Sequence, residues 1–201
     1  MDHVEADETL SLQMRDVVTT EQAIDLRLDS GGDAIIVVED SITNESKSFL
    51  VSSKVLSLAS PVFLGLFEPH FTEGIRTRRG DCPTIHLKED DPNAMTIIFN
   101  AVHHKTLDVP DQIEPKRLAI LAKNCDKYDC TRALRLWISR WCDFYFVPNQ
   151  ENLGYMLLAT YLFHSEKFSS IAADAARHLI PGFSSSWKHE ILLALPKHIQ
   201  G

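Results

Sequence analysis

Several things are missing from this sequence, and each absence excludes a class of protein. No apolar run approaches the ~20 residues that a bilayer-spanning helix needs, so no membrane partner is expected. The opening, Met1-Asp2-His3-Val4-Glu5, has neither the basic start nor the apolar stretch of a secretion signal. An intracellular protein, cytoplasmic or nuclear, is therefore the expectation. Cysteine is sparse: Cys82, Cys125, Cys130 and Cys142 form no C-x-x-C pair, so zinc-site spacing is absent and reduced, partly buried thiols are expected. Basic charge is scarce too, with 20 Lys and Arg against 28 Asp and Glu and a formal net charge of −8. A grip on nucleic acid needs a concentrated basic face, so direct binding of DNA or RNA is not expected.

The signatures of catalysis are missing as well. There is no G-x-S-x-G elbow, no G-x-x-x-x-G-K-S/T loop and no H-E-x-x-H helix. His189-Glu190 comes nearest to the last, but Ile191-Leu192-Leu193 follows, so the second zinc-binding His is absent. The nine histidines offer no paired nucleophile and base at a recognisable spacing. A small hydrolase is the weakest reading, and neither a cofactor nor a bound metal is expected.

What remains is ordinary globular material. Across 201 residues, 44% are hydrophobic and 24% charged, enough for one core with a small appendage. The acidity is concentrated at the front: residues 1–32 hold eight acidic side chains against two basic ones. Residues 1–30 thus read as a mobile acidic tail, closed by the turn-permitting Gly31-Gly32. Leu26 and Leu28 alternate only weakly, so no clear strand is expected ahead of Asp33.

Ala34-Ile35-Ile36-Val37-Val38 is a β-branched apolar run suited to a buried strand. Turn residues lead to Lys47–Val51, the second strand of a hairpin, and Thr84–Leu87 makes a third strand after a polar loop from Gly74 to Pro83. From Asp91 the period becomes helical. Asp91-Pro92 caps a helix bearing Met95, Ile98, Phe99 and Val102. Pro115 opens one bearing Leu118, Leu121, Ala122 and Cys125, and Leu134, Trp137, Ile138 and Trp141 repeat the spacing. After Pro148 three amphipathic helices follow, with stripes on Leu153, Met156 and Leu157, on Phe168 to Leu179, and on Trp187, Ile191 and Leu195. They pack on the preceding domain or continue into a larger helical region.

The stretch Val51 to Phe63 is the most informative. Ser52 or Ser53 can cap a short helix, and Ser60-Pro61 caps a second with Pro at its first position. With Phe49-Leu50-Val51-Ser52-Ser53-Lys54-Val55-Leu56, Ser60-Pro61-Val62-Phe63, Phe71-Thr72-Glu73 and Leu121-Ala122-Lys123-Asn124-Cys125-Asp126-Lys127-Tyr128 in order, residues 31–145 resemble a BTB/POZ domain, in particular the branch common in filamentous fungi. The resemblance implies an α+β fold, a small sheet covered by helices, with residues 146–201 as a helical extension.

It also implies a non-enzymatic protein–protein interaction module, working through protein partners and in some members as a homodimer. Phe71 and Glu73 match the apolar-x-Glu pattern with which BTB adaptors of ubiquitin ligases contact a cullin; the alternative is that Phe71 packs beneath its own loop. Asp33 and Lys54 border the family's ligand and dimer surface, either as a partly buried ion pair or as independent surface charges. Where many animal members have His before that Lys, this chain has Ser53. A transcription-regulator role would need a DNA-binding segment outside this chain. Arg76, Arg78 and Arg79 read as a solvated loop cluster or as a contact for an acidic partner. His103-His104 reads as a solvated or capping pair at a helix C-terminus.

Overall fold

In a computed structural model, the described residues are 23–143, 149–178, 192 and 194–197. The sheet has the order β1-β3-β2-β4, with β1 Leu26–Arg27, β2 Ala34–Glu39, β3 Ser46–Val51 and β4 Thr84–Lys88. The expected hairpin is there: β2 and β3 pair antiparallel with Ile36 opposite Phe49. The apolar run of β2 is buried at Ala34, Ile36, Val37 and Val38, as a central strand requires. β4 lies parallel to β2 on its other side, with Ile85 opposite Ile36.

β1 corrects the reading of residues 25–30 as part of a tail. It runs parallel to β3, and the Leu28 N–H donates to the Leu50 carbonyl at 2.9 Å. The Asp25 carboxylate accepts from the Ser48 N–H and hydroxyl, both at 2.8 Å. Two residues are too few to show a strand period, and their partner lies more than twenty positions away. Residues 1–22 of the expected tail are outside the described residues.

The helices begin where local chemistry satisfies free N–H groups. In α1 (Ser53–Ala59) the Ser52 hydroxyl accepts from the Val55 N–H. Ser60 then serves two helices: its N–H closes α1 on the Leu56 carbonyl, while its hydroxyl accepts from the Phe63 N–H to open α2 (Pro61–Leu66). The same hydroxyl donates to the Tyr128 carbonyl, 68 residues away. The first half of the expected loop from Gly74 to Pro83 is instead helical, since α3 spans Thr72–Arg78. Gly74 marks a close approach there, because a Cβ would sit 2.1 Å from the Glu68 carbonyl oxygen.

α4 (Pro92–Val102), capped by Asp91 on the Ala94 N–H, places Phe99 against Phe49 and Phe63 with ring centroids 5.1 and 6.1 Å away. α5 (Pro115–Lys127) follows, and α6 (Arg135–Cys142) buries Trp141, whose indole N–H donates to the Pro110 carbonyl at 2.8 Å. Cys125, Cys130 and Cys142 are buried free thiols and Cys82 is an exposed one.

α7 (Gln150–Leu162) packs against both α5 and α8 (Phe168–His178). It is not the amphipathic helix expected. Leu153 through Thr160 are all buried, polar and apolar alike, because a helix between two others has no solvent face. Through α7 the described part of the extension therefore packs on the preceding domain. The expected third helix, from Ser184 to Leu195, lies mostly outside the described residues, though Leu192 and Leu195 are in the core.

Candidate functional site

The four candidates fall on two segments. Phe71 is the residue before α3, and its carbonyl accepts from the Ile75 N–H at 3.0 Å. Its ring is 53% exposed, which excludes packing beneath its own loop, and Ile75 one turn on is 39% exposed. Apolar side chains four apart share a helix face, so the two form one outward apolar strip. Glu73 lies in the first turn, where a carboxylate is favoured by the helix dipole. Arg76, Arg78 and Arg79 follow, all exposed, and sit on the helix and its exit rather than in a loop. Arg79-Gly80-Asp81 is the turn beyond, with Gly80 at φ +84°.

Asp33 and Lys54 do not form the ion pair considered from sequence. The Asp33 carboxylate spends both oxygens on Ser53, accepting from its N–H and its hydroxyl at 2.7 Å each. The N–H satisfied is one that opening α1 leaves without an intrahelical partner. Ser53, in the place of the His found in many relatives of this pattern, is thus bound into the fold and buried. Lys54 is exposed and makes no ion pair among the described residues. The two segments meet electrically at Cys82: burial raises its thiol pKa most, Asp33 raises it further, and Arg76 lowers it. The thiol is protonated at neutral pH and a poor nucleophile.

Residues whose role the sequence does not show hold the scaffold beneath. Asp90, only 2% exposed, takes the Lys127 ammonium at 2.8 Å and the Tyr128 hydroxyl at 2.6 Å. Burial, then that bond to Asp90, pushes the Tyr128 pKa well up, and its ring stacks on Phe63 at 4.8 Å. Lys127 and Tyr128, which close the Leu121–Tyr128 stretch, therefore act by compensating a buried carboxylate. His103 was read as a solvated or capping residue; it caps α4 and also reaches across to the start of α1, bonding the Ser52 N–H.

A cleft of about 520 Å³ lies elsewhere, at the seam between α5, α6 and the α7–α8 turn. Its rim mixes Asp126, Asp129 and Glu166 with Arg132, Arg135 and Lys167, and none of the four candidates lines it. Among the described residues no three His, Cys, Asp or Glu side chains gather as metal ligands do. No helix among them is long and apolar enough to cross a membrane.

Compared with known families, residues 25–142, more than half the chain, match the family model described as the BTB/POZ domain. No curated protein matches the chain.

Proposed function

This chain belongs to the BTB/POZ family of protein–protein interaction modules, and we propose that its working surface is the start of α3. The observation that carries this is the outward Phe71 ring, half exposed beside Ile75 at a helix start. Large aromatic side chains exposed on a rigid element are the usual anchors of protein interfaces. Lys54, exposed on α1, is a second candidate contact, whereas Asp33 acts by fixing the start of α1. The module works inside the cell, without catalysis, on its partner's surface.

A finer reading is favoured by one feature. An apolar ring followed two positions later by Glu73, at the segment after the paired helices, fits a substrate adaptor that docks a cullin. Phe71 would fill an apolar pocket and Glu73 would accept hydrogen bonds at its rim. The competing roles, homodimerisation and recruitment of transcription factors, have no comparable feature at α3. Affinity purification from native lysate with wild type and Phe71→Ala in parallel distinguishes them. The adaptor reading expects a cullin recovered by wild type and lost with the variant. Chromatin factors in its place, unaffected by the substitution, contradict it.

A further inference from the structure

His103 follows the last residue of α4, and its half-buried ring bridges two elements. Nδ1 lies 2.9 Å from the Phe99 carbonyl oxygen, one turn back on α4. Nε2 lies 3.1 Å from the backbone nitrogen of Ser52, the residue that caps α1. A backbone N–H can only donate, so Nε2 must carry a lone pair and the ring proton must sit on Nδ1, donating to Phe99. Both bonds are made only by the neutral ring in this one tautomer. An imidazolium would carry N–H groups on both nitrogens and would set a second donor against the Ser52 N–H.

We propose that His103 is a proton-operated latch between α4 and α1: the neutral ring holds the Ser52 N–H and the start of α1, and the protonated ring releases them. The surrounding charges give the released ring somewhere to go. Asp29, in the connection between β1 and β2, attracts it, while Lys105 and His104 on the exit of α4 oppose its charge. The Asp33 carboxylate is committed to the neighbouring Ser53, and Lys54 points to solvent. Burial is the largest influence on the ring and lowers its pKa below the ordinary 6.5 of histidine, so the latch is closed at neutral pH.

What the latch controls is the set of α1. This helix carries Lys54 and the 76% exposed Leu58, and it packs on α2, which leads to Phe71. Loss of the Ser52 N–H bond leaves the start of α1 held by the Asp33–Ser53 contacts and by the Ser52 hydroxyl cap on the Val55 N–H. The inference does not depend on what Phe71 binds.

The test is an NMR titration of the full chain from pH 7.5 to 5, following the His103 ring nitrogens, the Ser52 amide and the protection factors of α1 amides. The latch requires His103 to protonate with a midpoint below 6.5 and the Ser52 amide to move with that midpoint. Protection in α1, corrected for the intrinsic pH dependence of exchange, should fall by up to about tenfold per pH unit between 6.5 and the midpoint. His103→Gln, whose amide oxygen can accept from Ser52 without ever charging, should make α1 protection independent of pH. A midpoint at or above 6.5, a titration that leaves the Ser52 amide in place, or an unchanged pH response in His103→Gln would overturn the proposal. The wild-type titration alone decides the matter if the variant does not fold.

Discussion

Phe63 sits where rings from three helical segments meet, stacked on Tyr128 and tilted against Phe99, with 1% of its surface exposed. Truncation there leaves a cavity that the two remaining rigid rings cannot fill, so Phe63→Ala should cost about 3–5 kcal/mol by denaturant titration. A loss under ~1 kcal/mol contradicts the packing. Gly74 sets a different constraint, since an added methyl would meet backbone oxygens of Glu68 and Phe67 rather than a movable side chain. Gly74→Ala should cost roughly 1–3 kcal/mol, and a neutral result by thermal melting refutes that close approach. Phe63 was legible in sequence because it follows a Ser-Pro cap in an apolar helix. In sequence Gly74 marks only the start of a polar loop, because a glycine demanded by a neighbouring backbone looks the same as one demanded by a turn.

Elements marked by a cap or by an apolar period within one short window match the structure, whereas the two-residue β1 and the polar α3 carry neither signal. The caps at Ser52, Ser60 and Asp91 all bond N–H groups three residues on, so the signal lies within one short window. β1 depends instead on Asp25 clasping Ser48 across the sheet edge. Those bonds, backbone first, hold the Asp25 pKa below its usual 3.8. A lowered folded pKa means the clasp contributes fully above about pH 3.8 and is lost as pH falls through the lower folded value. Exchange protection of the Leu28 amide should therefore fall at acid pH before that of β2. Ser48→Ala should show the same loss at neutral pH. If Leu28 and β2 lose protection together under both conditions, the clasp is not what holds β1.

At the scale of the molecule, α5 joins the two halves of the core, buried along Leu118, Leu121, Ala122 and Cys125 and packed against both α4 and α7. α7, the first helix of the extension, is thus part of the core. Deleting residues 146–201 should strip that cover and lower the melting temperature by well over 5 °C, with a gain in aggregation. A truncated chain melting like the full one would show the extension to be dispensable. The choice between packing and continuing outward was open in sequence, since amphipathic stripes give the existence of a buried face but not what buries it. The outward strip of Phe71 and Ile75 was half legible: the pattern marked Phe71, but only the fold turns its ring to solvent.

That strip carries the central claim, and a quantitative titration with a purified cullin tests it most directly. Wild type, Phe71→Ala and Glu73→Ala would be compared for affinity, with thermal melts of each alongside. An anchor of this kind costs about 2 kcal/mol or more on truncation, roughly 30-fold in affinity. If Phe71 anchors a cullin, Phe71→Ala loses at least that much, Glu73→Ala loses less, and both melting temperatures stay at the wild-type value. No binding by wild type at micromolar concentrations, or a Phe71→Ala protein that melts early while binding normally, would contradict it.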